Sequence, residues 1–79
     1  SVKSELFEVE LSNNNPVVGK SIVQLSFPKT AIIIMINRHG KFIRPGGSTV
    51  LEGGDKLAVL ADNKEVLPKV YEALKIKTT

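Results

Sequence analysis

The fold of this chain depends most on residues 30–44, which read TAIIIMINRHGKFIR. Isoleucine occupies four of the five positions from 32 to 36, and dense β-branched side chains favour an extended strand. His39-Gly40 follows as a turn, and Lys41 to Arg44 returns as a shorter strand. The stretch therefore predicts a β-hairpin whose first strand, Thr30 to Asn37, lies at the centre of the fold.

The first strand of this hairpin is apolar on both faces, whereas a small antiparallel sheet usually has one face in contact with water. Alternation predicts that Ile33 and Met35 face the helices of the domain. The side chains left on the other face are Ile32, Ile34 and Ile36. Each of these isoleucines would lose about 1.5–3 kcal/mol of stabilisation if its side chain stayed exposed to water. We therefore predict a homodimer that buries this second face, with a closed small barrel as the alternative.

Two further strands and a short helix surround the hairpin. Period-two alternation with β-forming side chains predicts strands at Leu6 to Leu11 and at Lys56 to Ala61. Apolar residues at spacings of four and three predict a helix of at most two turns over Val17 to Leu25. Ser12 to Pro16 and Glu52 to Asp55 contain the Asn, Pro and Gly residues that favour turns.

The chain ends with a second predicted helix. Four apolar residues share one of its faces: Val66, Leu67, Val70 and Leu74. Asp62 is expected to cap this helix, with Glu65 in the register of a capping box. Counted from that cap, Pro68 lies beyond the first helical position and predicts either a kink or a later start of the helix.

These elements predict one α+β domain, with a small, mainly antiparallel β-sheet and two short helices, that dimerises through the sheet and hairpin region. A chain of 79 residues has no room for a second core. Hydrophobic residues make up 42% and charged residues 24% of the chain, a balance typical of folded rather than disordered proteins.

The formal net charge of +3 is concentrated in the middle of the chain. Residues 1–10 contain one basic and three acidic residues, residues 11–51 contain five basic residues and no acid, and residues 52–79 contain five of each. A local basic segment attracts an anion or an acidic partner surface more strongly than the modest total indicates. Solvated side chains that maintain solubility are the alternative explanation.

Composition and spacing argue against an enzyme and against a metal site. The chain has no cysteine and a single histidine, His39, on the predicted turn. One histidine without a cysteine or a pattern-linked acid forms neither a nucleophile–base pair nor a set of metal ligands. The run from Gly46 to Thr49 lacks the lysine and the long helix of a phosphate-binding loop, and turn chemistry explains it better.

A basic cluster surrounds the turn of the hairpin. It consists of Arg38, His39, Lys41 and Arg44. Around a two-fold axis each of these residues is doubled, and a basic pocket with an isoleucine floor suits a small anion with an apolar body, such as a nucleotide. A solvated hairpin tip is the alternative.

Four segments follow one another in a specific order along the chain. They read PVVGKSIVQL at 16–25, AIIIMINRHG at 31–40, IRP at 43–45 and TVLEGGDKL at 49–57. The glycines and Asp55 of the last segment have a physical reason, because a tight turn needs positive φ and an Asx-type side-chain bond. The series resembles the TrkA-C domain, the C-terminal half of a module that regulates potassium conductance.

The resemblance implies a cytosolic regulatory domain of a potassium channel, a Trk/Ktr-type uptake system or a cation/proton antiporter, on the cytoplasmic side of the membrane. Such domains form dimers and bind small ligands at the dimer interface, a cyclic dinucleotide (cyclic di-AMP) in some members. Carried over to this sequence, the ligand-binding residues are Ile32, Ile36, Arg38, Ile43, Arg44 and Pro45.

The resemblance covers residues 5–74, with residues 1–4 and 75–79 expected to be flexible ends of a piece of a larger protein. The implied partners are a second copy of the chain, the membrane transport domain of the same polypeptide or complex, and a small anionic ligand, with no other cofactor and no nucleic acid. A pure dimerisation domain without a ligand, a small basic nucleic-acid-binding domain and pH sensing through His39 are the alternatives.

Overall fold

The computed structural model describes residues 3–77 as a four-stranded antiparallel sheet with one α-helix and two 3-10 turns. The strands are β1 (Glu5–Glu10), β2 (Ala31–Arg38), β3 (Lys41–Ile43) and β4 (Lys56–Ala61), and the helix is α1 (Leu67–Ala73). Their spatial order is β1-β4-β2-β3. The predicted α+β class is confirmed, and each predicted strand lies within one residue of an observed strand at both ends.

The β2–β3 hairpin closes with a two-residue turn in which both residues have positive φ. His39 has φ 53° and Gly40 has φ 82°, the combination found in a type I′ turn. The Asn37 side-chain oxygen accepts a hydrogen bond from the Gly40 N–H at 3.0 Å. The predicted hairpin is therefore confirmed, and its left-handed turn explains the glycine at position 40.

A β-bulge interrupts the pairing of β2 with β4 between Ile33 and Met35. A bulge inserts one residue and so reverses the alternation of the side chains that follow it. Ile33 and Ile36 consequently both face the core, and Ile36 is fully buried. The exposed side chains of this stretch are Ile32, Ile34 and Met35. The prediction that Met35 faces inward and Ile36 outward is wrong, because strict alternation does not hold across the bulge.

The predicted helix over 17–25 is also wrong, since only a 3-10 turn forms there, at Ile22–Gln24. Gly19 has φ 89°, a left-handed conformation that interrupts a right-handed helix. The backbone instead bonds across to the loop before β4. The Gly19 N–H donates to the Leu51 carbonyl at 2.8 Å, and the Leu51 N–H donates to the Lys20 carbonyl at 2.9 Å. Residues 3–77 therefore contain one short α-helix rather than two.

The last helix begins later than its predicted cap. Asn63, rather than Asp62, caps a 3-10 turn at Lys64–Val66, and its side-chain oxygen accepts a hydrogen bond from the Glu65 N–H at 3.0 Å. The helix α1 follows this turn directly, which places Pro68 in its first turn. A missing N–H costs no helical hydrogen bond at that position. Of the two alternatives for Pro68, the later start is confirmed.

One face of the sheet, here called the inner face, carries the core. Side chains from the strands meet those of α1 and of the loop before β2 in one hydrophobic cluster. The largest fully buried apolar side chains of this cluster are Leu11, Val17, Ile36, Leu51, Leu57, Val59, Val70 and Leu74. The opposite face, here called the outer face, is not covered by any element of residues 3–77.

The chain stays attached to the core just beyond α1. The Ile76 N–H donates to the Tyr71 carbonyl at 2.9 Å, and the Ile76 side chain is partly buried against the core. The expectation of flexible ends at 1–4 and 75–79 concerns in part residues 1–2 and 78–79, which lie outside the described residues.

Candidate functional site

The structure separates the residues that the family resemblance places in a ligand site. Ile36 is fully buried in the core, and Ile43 is partly buried against the same cluster. Ile32 and Pro45 line a surface cleft, and the neighbouring Arg44 is exposed. Ile36 is therefore a core residue in this conformation, whereas Ile32, Arg44 and Pro45 lie at or beside the surface cleft.

The sixth predicted residue, Arg38, forms an ion pair with the fully buried carboxylate of Asp55. Its Nε donates to Asp55 Oδ1 at 2.8 Å and its Nη2 donates to Asp55 Oδ2 at 2.9 Å, which makes the pair bidentate. Nη2 also donates to the Val50 carbonyl at 2.9 Å, and Nη1 lies 2.9 Å from Glu52 Oε2. We call this arrangement the Arg38–Asp55 clamp, because it fastens the end of β2 to the loop before β4.

The clamp holds both of its charged groups in their ionised forms. Burial alone would raise the pKa of Asp55, but hydrogen bonds from Arg38 and the Glu52 N–H, together with the charges of Arg38 and His39, lower that pKa below its usual value. The hydrogen bond with Asp55 raises the pKa of Arg38. Because two carboxylates already surround the Arg38 guanidinium, it attracts a free anion less strongly than a solvated arginine does.

Sequence reasoning assigned Asp55 to a turn and missed its partner. The turn is confirmed, since Gly54 has φ 86° and Asp55 Oδ2 accepts a hydrogen bond from the Glu52 N–H at 2.9 Å. Gly53 is required for a different reason, because a Cβ there would lie 2.8 Å from the Asn13 Cα. The available signal was the Gly-Asp step itself, since an aspartate that folds into a buried turn needs a cation nearby.

An apolar cleft lies between the start of β2 and the loop after β3. Its volume is about 310 Å³. Among its lining residues are Ile22, Phe27, Pro28, Ile32, Pro45 and Gly46. Sequence reasoning gave Phe27 and Pro28 no part in a site, so it missed this wall of the cleft. An apolar cleft beside exposed Arg44 has the composition of a site for a ligand with a flat apolar part and an anionic part.

The outer face of the sheet is exposed and carries a cluster of large apolar side chains. Its large hydrophobic side chains are Leu6, Ile32, Ile34, Met35, Phe42 and Leu60. They come from all four strands, and Ile32 and Phe42 are 58% and 74% exposed. A contiguous exposed apolar surface of this kind usually marks an interaction site rather than a surface that stays in contact with water. Ile32 belongs to both the outer face and the cleft, so the two surfaces adjoin.

The described part of the chain contains neither a candidate metal site nor a candidate membrane-spanning helix. Residues 3–77 contain no group of three or more His, Cys, Asp or Glu side chains that could hold a metal ion. They also contain no helix with the length and apolar character needed to cross a membrane.

Comparison with known proteins gives a family match over most of the chain. The family model described as the TrkA-C domain matches residues 6–75. The K(+)/H(+) antiporter NhaP2 of Shewanella sp. (strain ANA-3) is 39% identical over 62 residues, which cover 78% of this chain and 11% of the antiporter. A Trk system potassium uptake protein TrkA homolog of Archaeoglobus fulgidus is 33% identical over 64 residues, which cover 81% of this chain and 15% of that protein. This chain thus spans only a small part of these relatives.

Solved structures match the same fold. The RCK_C domain dimer of S. agalactiae BusR in complex with c-di-AMP superposes with a TM-score of 0.73 and 29% identity, covering 91% of this chain and 97% of that chain. BusR in complex with its busAB promoter DNA gives a TM-score of 0.73 and 28% identity, covering 91% of this chain and 36% of that chain. The DNA complex of this relative runs against the prediction of no nucleic-acid partner.

Proposed function

The chain belongs to the TrkA-C domain family, and from this premise we propose that it senses a ligand and regulates a cation transporter. The transporter is a potassium channel, a potassium uptake system or a cation/proton antiporter, and the domain acts on the cytoplasmic side of the membrane. One observation carries the proposal: the exposed apolar outer face adjoins an apolar cleft, and Ile32 belongs to both.

The outer face is the proposed dimer interface. A two-fold axis over it brings the same six apolar side chains of each protomer together, which buries surface that is wet in the single chain. The RCK_C domain of BusR is a dimer, which supports dimerisation of this chain. Because the outer face adjoins the cleft, each cleft would lie at the edge of this proposed interface, where one ligand could touch both protomers.

The cleft with Arg44 is the proposed ligand site. Ile32 and Pro45 supply apolar walls, and exposed Arg44 supplies a charge that is not held in the Arg38–Asp55 clamp. Arg38 contributes indirectly, because the clamp fixes the strand from which the hairpin extends. The ligand is a small anion with an apolar part, and the c-di-AMP complex of BusR supports a cyclic dinucleotide as the first one to test.

Regulation follows from a shift in population between dimer geometries. A ligand that bridges two protomers favours the geometry in which both contacts are made, and it shifts the equilibrium only by its difference in affinity between the two geometries. The connection to the transport domain carries this geometry to the ion pathway. No chemical step is needed, so the domain acts as a binding module rather than an enzyme.

Sedimentation equilibrium of the chain at tens of micromolar tests the dimer. We expect a dimer for the native sequence and a folded monomer for Leu60→Asp, because the new carboxylate would be buried without a partner in the interface. Circular dichroism of the variant verifies that the fold is kept. A monomeric native chain over this concentration range would falsify the dimer.

Isothermal titration calorimetry with cyclic di-AMP tests the ligand site. We expect saturable binding, and roughly a ten- to hundredfold loss of affinity in Arg44→Ala, because a charge-assisted hydrogen bond contributes about 1.5–3 kcal/mol. Lys69→Ala is the matched control, since it removes one exposed positive charge from α1, away from the cleft. Unchanged binding in Arg44→Ala would remove this residue from the site.

The same two assays separate the alternatives. A dimer that binds no cyclic dinucleotide or mononucleotide is the result expected of a pure dimerisation domain. Binding of duplex DNA with a steep dependence on salt is the result expected of a nucleic-acid-binding domain. The DNA complex of BusR makes a titration with duplex DNA necessary, although this chain covers only 36% of the BusR chain in that structure.

A further inference from the structure

A second groove lies between the loop that follows β1 and the C-terminal end of α1. It has a volume of about 520 Å³ and shares no lining residue with the cleft or with the outer face. Among its lining residues are Pro16, Lys20, Gln24, Leu25, Glu72 and Lys75. Neither the predicted ligand residues nor the proposed dimer interface accounts for this groove.

The two walls of this groove are fastened together at a buried amide. The Asn15 Nδ2 donates to the Leu74 carbonyl at 2.9 Å, and the Asn15 Oδ1 accepts a hydrogen bond from the Val17 N–H at 2.7 Å. One side chain thus joins the loop to the end of α1. On the loop wall, the Gln24 Oε1 accepts a hydrogen bond from the Ser21 N–H at 2.8 Å. The groove is therefore already formed in the single chain.

Lys75 occupies a backbone position that favours glycine. It has φ 56°, and it follows α1 at the left-handed position of a Schellman motif, in which the Ile76 N–H donates to the Tyr71 carbonyl. A non-glycine residue is strained there, and such strain is typical of functional positions. The lysine at this position lowers the stability of the fold, and the residue is exposed and lines the groove.

The chemistry of the groove points to a peptide with one carboxylate. Leu25 and the buried side chains of Val17 and Ala73 supply apolar surface, while two lysines and one glutamate leave a single net positive charge. A single charge matches a monoanionic carboxylate better than a phosphate dianion. The lining contains no arginine to bind phosphate in a bidentate manner and no aromatic ring to stack on a base.

We propose that this groove binds an acidic peptide segment, an extended stretch with one Asp or Glu between apolar residues. The apolar side chains lie against Leu25 and Ala73, and the carboxylate lies between the ammonium groups of Lys20 and Lys75. The proposal is independent of the ligand site beside Arg44, because the two sites share no residue. It gives the domain a second surface through which a partner chain can be held.

The test is a titration of the isotopically labelled chain, followed by NMR. The probes are two capped tripeptides, acetyl-Leu-Glu-Leu-amide and its counterpart with Gln in place of Glu. We expect saturable shifts at the amides of Lys20, Gln24 and Lys75 with the first peptide, and weaker binding of the second. Equal binding of the two peptides, or shifts confined to the outer face and the cleft, would overturn the proposal.

Lys75→Gly provides a readout that a merely structural lysine would not move. Glycine relieves the left-handed strain, so the variant should unfold at a higher temperature and yet bind the acidic peptide about two- to fivefold more weakly. Lys69→Gln is the matched control, because it removes a charge from α1 outside the groove and should leave the affinity unchanged. A stabilised Lys75→Gly variant with native affinity would exclude Lys75 from the site and reject the proposal.

Discussion

The inner and outer faces of the sheet carry similar side chains in very different surroundings. On β4, Leu57 is fully buried, whereas Leu60, three residues later, is 38% exposed. On β2, Ile36 is fully buried and Ile32 is 58% exposed. The type of side chain therefore does not decide which face is wet. The difference arises because α1 and the loops cover only the inner face, and residues 3–77 contain no further element that covers the other.

The two faces also differ in how their apolar surface is closed. At the end of β2, the inner side is closed by the Arg38–Asp55 clamp, which satisfies a buried carboxylate with two hydrogen bonds from one guanidinium. Among residues 3–77, no comparable ion pair lies on the outer face. The comparison indicates that the inner face provides the stability of the single chain, while the outer face is available for burial against a partner.

The largest effect is expected from removal of the cation of the clamp. In Arg38→Ala the Asp55 carboxylate is left buried without its partner, which costs about 3–5 kcal/mol of unfolding free energy. A domain of this size has roughly 4–12 kcal/mol in total, so the variant is close to unfolding. Urea denaturation followed by circular dichroism measures the loss.

A paired variant distinguishes a lost ion pair from lost packing. Arg38→Met combined with Asp55→Leu replaces both charges with apolar groups and should recover most of the stability that the single variant loses. A cost below about 1 kcal/mol for Arg38→Ala would mean that the clamp behaves as an ordinary surface ion pair. The inner side would then depend on packing alone.

A smaller difference is expected between two leucines of β4. Leu57→Ala should cost about 2–5 kcal/mol at any protein concentration, because it leaves a cavity in the core. Leu60→Ala should cost under about 1 kcal/mol in dilute solution, where the outer face is wet. Its cost should grow as the concentration rises into the range in which the dimer forms.

Thermal unfolding of both variants over a range of concentrations makes this comparison. A cost for Leu60→Ala that does not depend on concentration would show that the outer face takes no part in association. Equal costs for the two leucines in dilute solution would contradict the distinction between the faces altogether.

Much of the fold could be predicted because it depends on local patterns. Alternation located β1 and β4, and the His39-Gly40 step located the hairpin, because each signal acts within a few neighbouring residues. The first helix was predicted wrongly, since Gly19 adopts a left-handed conformation and the segment bonds to Leu51. That bond joins residues distant in sequence, which a periodicity argument does not include.

The site was predictable only in part, for a related reason. Resemblance placed Ile32, Arg44 and Pro45 in one region, and the structure has them together at the surface. Ile36 was expected to face outward, but a single inserted residue in β2 turns its side chain into the core. Arg38 appeared in the sequence as a charge open to a ligand, but its partner Asp55 lies 17 residues away, and only the folded chain brings them together.

Acid should weaken the inner side more gently, through the protonation of Asp55. Its pKa in the folded chain lies below the ordinary value near about 3.9, so the clamp contributes its full stability above roughly pH 4. That contribution is lost as the pH falls through the folded pKa, because the unfolded chain binds the proton more readily. Asp55→Asn should therefore show a flatter decline in stability below pH 4 than the native chain. Asp62→Asn is the control: it changes an exposed carboxylate after β4 and should follow the native decline. Urea denaturation at a series of acidic pH values compares the three chains, and parallel declines for all of them would mean that the ionised Asp55 does not stabilise the inner side.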